Sequence, residues 1–265
     1  MNKNIDYHIH TNFSSDSNID AEELVKKAIK QNFKEIAITD HFDLNPVDVK
    51  KFGILDLEEY INTLEYLKKK YKDKIKINIG LEIGEYHRFK SKIFKKLKNI
   101  NNLDVIIGSV HRTQDDTNMS VPIDEPFKEE TIHDYFNENL KIVKNPEIDI
   151  LGHLGIFQRY YYKYHDNNKY NSIINNIFNY MQLNNIALEI NFSGLRKNID
   201  NLIPSIPLIK DYLNRGGNLL TIGSDIHCLD EMKNSYYKRA IKILKNNGIN
   251  FLSIKENNKW KNIKI

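Results

Sequence analysis

Short apolar runs and amphipathic stretches alternate along nearly the whole chain. The runs Ile5–His10, Glu35–Thr39, Ile75–Leu81, Val105–Val110, Ile148–Leu151, Ile186–Asn191 and Leu219–Gly223 predict seven strands. Several of them (IAIT, DVIIGSV, ALEI) are apolar nearly throughout, as expected of strands buried on both faces of a parallel sheet. Between them, Ala21–Gln31, Leu57–Tyr71, Lys90–Leu97, Glu129–Val143, Tyr170–Leu183, Ile206–Leu213 and Lys233–Lys245 carry helical periodicity. Asp20 followed by Glu23 reads as a capping box. Gly216-Gly217 and Gly248 read as C′ glycines. A short strand at Ile249–Ile254 and a tail containing Trp260 finish the chain.

Strict βα alternation predicts an α/β fold with a parallel sheet, either closed as a barrel or open and doubly wound. The polar residues break the tie. His8 and His10, with Asp16 just beyond, follow the first strand. His41 follows the second, Glu82 the third, His111 the fourth, His153 the fifth, and Asp225 and His227 the last. A closed barrel brings all those strand ends into one ring, whereas an open sheet spreads them along an edge. There is no Pro-, Gly- or Ser-rich linker and no internal repeat. We therefore expect one domain, residues 1–265, folded as a distorted (βα)7 TIM-like barrel.

Alternate strand residues share a face, so His8 and His10 can grip one ion together. A His-x-His pair alone is weak evidence, since two half-exposed strand histidines look the same. Accumulation gives the pattern its force. Thr39-Asp40-His41, Gly80-Leu81-Glu82, Gly108-Ser109-Val110-His111, Gly152-His153 and Gly223-Ser224-Asp225-Ile226-His227 each put a ligand type just after an apolar run. Imidazoles and carboxylates together suit Zn²⁺, Mn²⁺ or Fe²⁺ and do not choose between them. Asp40 reads equally as a group orienting His41 or as a strand-end aspartate bonded to backbone. Cys228 reads as a small buried filler. His87, His133 and His165 match no part of the pattern, and surface roles are expected of His133 and His165.

Taken in order, Asp6-Tyr7-His8-Ile9-His10-Thr11, Thr39-Asp40-His41, Glu82, Ser109-Val110-His111, His153 and Asp225-Ile226-His227 resemble the polymerase and histidinol phosphatase (PHP) superfamily of metallophosphoesterases. The resemblance implies a distorted (βα)7 barrel with two to three divalent metals. It implies a first ion on His8, His10, Glu82 and Asp225, and a second on Glu82, His111 and His153. A third would sit on Asp16, His41 and His227, although some members have histidine where this chain has Asp16. Three such ions carry formally +6; Asp16, Glu82, Asp225 and one hydroxide subtract four and leave about +2 for a phosphate dianion. The implied reaction is attack of a metal-bridged hydroxide on a phosphate monoester, with His8, His10, Glu82, His111, His153, Asp225 and His227 carrying the catalytic machinery.

Two stretches resemble the histidinol-phosphate phosphatase branch: Gly152-His153-Leu154-Gly155-Ile156-Phe157-Gln158-Arg159-Tyr160 and Glu189-Ile190-Asn191-Phe192-Ser193-Gly194-Leu195-Arg196-Lys197. They imply hydrolysis of L-histidinol phosphate, a step of histidine biosynthesis. Arg159 and Arg196 are candidate phosphate forks, with Arg196 in the more distinctive motif; the alternative is that both pair with surface carboxylates. Asn191 and Ser193 are candidates to support that loop or meet the substrate. Glu85 and Asp43 are candidates to face the substrate's ammonium. Tyr160, Tyr161, Tyr162 and Tyr164 form an aromatic loop that could close over an imidazole or pack on helices.

Composition changes this picture little. The chain has 40% apolar and 28% charged residues, the balance of a soluble globular protein. Its start, MNKNIDYHIH, shows no secretory pattern, and no apolar run approaches a membrane span, so a cytoplasmic location is the default expectation. The single cysteine excludes an internal disulfide. The net charge of +4 invites a nucleic-acid reading, but Lys68–Lys70 and Lys95–Lys98 read as solvated helix faces. The competing functions are a PHP phosphoesterase acting on nucleotides, nucleic-acid ends or phosphotyrosine, and a metal-binding protein without turnover.

Overall fold

The computed structural model describes residues 3–122, 124–160, 167–196 and 199–265. Seven parallel strands run in chain order: β1 (Asn4–Asp6), β2 (Phe33–Ile38), β3 (Lys76–Gly84), β4 (Val105–Ser109), β5 (Ile150–Leu151), β6 (Ala187–Asn191) and β7 (Leu220–Gly223). The segments just past β1 and β7 close the ring. Tyr7 N donates to Ile222 O at 2.9 Å, Asp225 N to His8 O at 2.7 Å and His10 N to Ile226 O at 3.2 Å. The result is a βα barrel.

Eight helices are described: α1 (Ala21–Lys30), α2 (Pro46–Phe52), α3 (Leu57–Lys70), α4 (Tyr86–Leu97), α5 (Glu129–Val143), α6 (Asn171–Leu183), α7 (Ile206–Asn214) and α8 (Asn234–Asn246). Each expected helix is present, with ends within one residue of the expectation except at α4, which begins four residues earlier, at Tyr86. Asp20 caps α1 by accepting from Glu22 N and Glu23 N at 2.9 Å. The Glu23 carboxylate pairs with Lys26 at 2.9 Å. Gly216 and Gly248 take positive φ of 90° and 82° past their helices, a region closed to most side chains. α2 was not foreseen. It buries none of its side chains, so no apolar stripe marks it in the sequence.

The C-terminal segments pair as an antiparallel hairpin, β8 (Phe251–Glu256) with β9 (Lys259–Lys264), so the tail is a strand as well. The hairpin packs near the N-terminal ends of the barrel strands, where Ser253 Oγ accepts from Leu220 N at 3.0 Å and Lys255 N donates to Tyr7 Oη at 2.8 Å. Beside it lies the fully buried Glu35. Its carboxylate accepts from Tyr7 Oη and Lys3, from Lys76 Nζ at 2.9 Å and from Asn78 Nδ2 at 3.0 Å. Among the described residues no helix is long and apolar enough to cross a membrane.

Burial alone would raise the Glu35 carboxyl, but its lysine, tyrosine and asparagine partners hold it below the usual range. Its stabilising contribution is thus present above the unfolded-state pKa and lost as pH falls through the lower folded one. Glu35→Gln is expected to cost about 1–3 kcal/mol at pH 7. In urea titrations the gap from wild type should shrink as the pH is taken through the acid range; a gap independent of pH would count against an ionised Glu35.

Candidate metal centre

Glu82 lies inside β3 rather than at its end, because the strand runs on to Gly84. Its buried carboxylate divides its oxygens between two groups of imidazoles. Oε2 stands 3.2 Å from His8 Nε2 and 3.4 Å from His10 Nε2. Asp225 Oδ1 approaches the same nitrogens at 3.9 and 3.5 Å. Oε1 faces His153 Nε2 at 2.9 Å and His111 Nε2 at 3.2 Å, and those two nitrogens are 3.3 Å apart. On the outer side, Asp16 Oδ2 lies 3.3 Å from His227 Nε2 and 3.6 Å from His41 Nε2. The His10 ring lies against both, with centroids 4.1 Å from that of His227 and 4.4 Å from that of His41. The structure therefore brings together all nine ligand candidates, with His10 between two groups.

Donor atoms around a tetrahedral ion with bonds of about 2.0–2.1 Å stand about 3.3–3.4 Å apart, close to most of these separations. Other features fit divalent cations. Glu82 Oε2 is buried without a hydrogen-bond partner, a costly state for a charged atom unless a cation faces it. His8 Nδ1 bonds to Glu189 Oε1 at 2.8 Å, His10 Nδ1 to Ser14 Oγ at 3.1 Å and His227 Nδ1 to Asp225 O at 3.2 Å. An Nδ1–H donated outward leaves the Nε2 lone pair pointing into the cluster. The donor set and its spacing fit divalent metal ions.

The electrostatics divide the cluster. Burial opposes ionisation of Glu82, yet His8, His111 and His41 hold its carboxyl well below the usual range. Asp225 is likewise opposed by burial and held down chiefly by the Arg159 guanidinium. Burial and the neighbouring His227 and His41 hold His10 well below an ordinary histidine, the neutral form a ligand needs. For His111, burial is overridden by Glu82 and the pKa is pushed up to about 9, and against burial the neighbouring carboxylates hold His8 and His41 well above an ordinary histidine, so a cation binding there has protons to displace.

The orienting groups were mostly not foreseen. Glu189, buried in β6, holds His8 with one oxygen and accepts from His153 N at 2.5 Å with the other. Ser109 Oγ donates to Glu82 Oε1 at 2.6 Å. Asp40 accepts from Thr11 N at 2.7 Å and Ser14 Oγ at 2.6 Å, so it steadies the loop after β1 and acts on His10 through Ser14. Asn191 reaches Glu189 and Asp225 at 3.3 Å each, and Ser193 N donates to Asn191 Oδ1 at 3.0 Å. Gly223 makes room for this packing: a Cβ there would lie 2.1 Å from Glu189 Oε1 and 2.5 Å from His8 Cβ.

A cavity of about 360 Å³ opens over the cluster. Arg159 and Arg196 line it, as do Asp43, Asp48, Arg112 and Glu231. Arg159 Nη2 pairs with Asp225 Oδ2. Arg112 clasps Asp48 of α2 at 2.8 and 3.0 Å. Phe13, Phe52, Leu55, Val121 and Tyr160 supply the apolar part of the wall. Tyr161, Tyr162, Tyr164, His165 and Lys197 lie outside the described residues.

Two expectations are corrected. Glu85 does not line the cavity. It is buried, its carboxylate accepts from His111 N and Arg112 N at 2.8 Å each, and burial pushes its pKa up to about 7. A positive φ of 45° at Glu85 sits where β3 turns into α4, and the side chain supports the backbone of His111 rather than facing a substrate. Cys228 is exposed, not a buried filler, because the chain leaves the barrel rim right after His227. His133 is exposed as expected, whereas His87 pairs with the buried Glu138 at 2.9 Å.

A βα barrel with imidazoles grouped around a shared carboxylate at its C-terminal rim defines a barrel of the metal-binding class. The PHP domain matches residues 6–193, and the chain belongs to that family. A probable histidinol-phosphatase of Clostridium acetobutylicum is 33% identical over 250 residues, covering 91% of this chain and 92% of that protein. A histidinol-phosphatase of Lactococcus lactis is 32% identical over 237 residues, covering 85% and 84%. The crystal structure of histidinol phosphate phosphatase from Lactococcus lactis, complexed with zinc, L-histidinol and phosphate, matches with a TM-score of 0.80 at 29% identity, over 98% of this chain and 99% of that one.

Because Glu189 orients one histidine by its ring and another by its backbone, Glu189→Gln should weaken divalent-metal affinity by about 10–100-fold. Gly223→Ala, which drives a methyl into the same carboxylate, should do the same. Competition against a chromophoric chelator measures both, and wild-type affinity in Glu189→Gln would remove the orienting role.

Proposed function

We propose that this chain is a metal-dependent phosphomonoesterase that hydrolyses L-histidinol phosphate to L-histidinol and phosphate. The observation that carries this reading is the match along nearly the full length to a solved enzyme complexed with zinc, L-histidinol and phosphate. It stands beside a donor cluster in this chain that has the separations a group of divalent ions needs. Two to three ions of zinc, manganese or iron are the cofactors of this reading. When bound, such ions supply Lewis acidity, which makes water nucleophilic near neutral pH and offsets charge on phosphoryl oxygens.

The chain's own groups divide the remaining work. His8, His10, Asp16, His41, Glu82, His111, His153, Asp225 and His227 hold the ions. Arg159, whose Nε is buried without a hydrogen-bond partner, can turn its planar fork toward two phosphoryl oxygens. Arg196 adds positive charge to the same wall, and Ser193 lies beside it. In this reading Asp43, on the same wall, is the carboxylate available to the ammonium of the substrate, while Asp48 is clasped by Arg112, and Phe13, Phe52 and Tyr160 are the rings available to its imidazole. A cavity of about 360 Å³ lies in the range of small-molecule sites, which favours a compact phosphomonoester over a polymer. Groups built for an amine and an imidazole are left unpaired by other esters, so selectivity should be high.

Phosphate release by the metal-loaded protein should therefore show a kcat/KM for L-histidinol phosphate at least about 100-fold above those for nucleotides, phosphotyrosine and an aryl phosphate. The activity should vanish in His153→Ala. A flat profile or a nucleotide preference would overturn the substrate assignment and keep the phosphatase; no turnover on any ester would return the chain to metal binding alone.

A further inference from the structure

The turn after β7 carries two ligand candidates, Asp225 and His227, on backbone tied inward to the β1 segment by Asp225 N to His8 O at 2.7 Å and His10 N to Ile226 O at 3.2 Å, which leaves the carbonyls of Ser224 and Asp225 to other partners. Asp225 has φ +55°, a conformation that costs a non-glycine residue about 1 kcal/mol or more and persists only where neighbours enforce it. On the side of these carbonyls the neighbours are Arg196 and Glu231. Arg196 Nη1 donates to Ser224 O at 2.6 Å and Nη2 to Asp225 O at 2.9 Å. Its side chain is only 5% exposed. Glu231 Oε1 lies 3.4 Å from Arg196 Nε, and Glu231 Oε2 accepts from His227 N at 3.3 Å. The ring closes through His227 Nδ1, which donates to the same Asp225 carbonyl at 3.2 Å.

We infer that Arg196 and Glu231 form a bracket that fixes the 224–227 turn, and that both are positioning residues for Asp225 and His227. The two arginines of the cavity wall thus differ in kind. Arg159 meets a carboxylate side chain that it can exchange for a phosphoryl group, whereas two donors of Arg196 are committed to backbone carbonyls. Glu231 is the member without a second role: it anchors the guanidinium on one side and the imidazole's backbone on the other. Removing either member leaves the turn only its bonds to the β1 segment and lets Asp225 Oδ1 and His227 Nε2 drift from their partners. This inference rests on the metal-dependent reading of the site but not on the identity of the substrate.

Glu231→Gln is isosteric and removes only the charge; Arg196→Gln removes the forked donor. Competition with a chromophoric chelator, using Mn²⁺ and then Zn²⁺, would report affinity for each variant and for the double variant. Each single change should weaken the most weakly held ion about 10-fold or more, and the double should be no worse than the weaker single, because both act through one turn. The melting temperature of the metal-stripped protein should scarcely move in Glu231→Gln. Unchanged metal affinity in Glu231→Gln, or losses that simply add, would overturn the bracket. So would intact affinity with KM raised for L-histidinol phosphate and not for an aryl phosphate, which would assign Glu231 to the substrate's ammonium. Since the affinities need no substrate, failure of the histidinol assignment would leave this result readable.

Discussion

The Glu82 carboxylate is ionised where water does not reach it, and the arrangement of the barrel rim follows from that constraint. A buried carboxylate without compensation would take up a proton. Here one oxygen receives the Ser109 hydroxyl and faces His111 and His153, while the other faces His8, His10 and His41. These groups come from separate strands and from loops just beyond them, so only a closed ring of strands can surround one carboxylate in this way. The closing bonds between the segments past β1 and β7 are as much a part of the site as the ligands.

Such a cluster is crowded, and crowding explains the small residues beneath it. Gly223 admits Glu189 next to His8. Gly152 leaves space for the Ser109 hydroxyl, which a Cβ would meet at 2.3 Å, and Gly84 leaves space for Asp43 and the His111 ring. Each glycine stands at or just beyond a strand end under a charged or hydrogen-bonded group, where one methyl would displace a group that orients a ligand. Segments just beyond the strand ends carry the imidazoles, and the second nitrogens of His8, His10 and His227, bonded to Glu189, Ser14 and the Asp225 carbonyl, set which atom faces inward.

Much of this was legible in the sequence, for identifiable reasons. Strands buried on both faces are written as continuous apolar runs, so the seven strands could be read directly, and the polar residues at their ends argued for closing them into a barrel. The candidate ligands, which the structure brings together, stand out because histidine, aspartate and glutamate rarely follow such runs repeatedly. The orienting groups did not stand out. Glu189 sits inside an apolar run and looks like a tolerated exception. The targets of Arg196 are backbone carbonyls, which leave no mark in a sequence, so its motif read as a phosphate fork and nothing in it distinguished positioning. Glu85 was misassigned because spacing from Glu82 says nothing about direction; a left-handed backbone at that residue turns its carboxylate under His111. Helix α2 was missed since it buries no side chain and so has no apolar stripe to announce it.

That last omission separates the two walls of the cavity. The wall of ligand candidates is made of barrel strands and the segments just beyond their ends, buried at Glu82, His8, His10, His153 and Asp225 and partly exposed at His41, His111 and His227. The opposite wall includes α2, whose attachments are polar: the Asp48–Arg112 clasp and Asn45, which donates to Asp116 at 3.0 Å. Phe52 of α2, 47% exposed, stands at the opening with little packed against it. Elements held by few buried contacts open at lower free energy than the core. The chain thus puts its most rigid backbone where atoms must be placed within tenths of an ångström, and its least buried helix where a ligand has to pass. An apolar stripe on α2 would tie it to the barrel and make it easier to read from sequence, but it would also bury the side chains that now face the cavity.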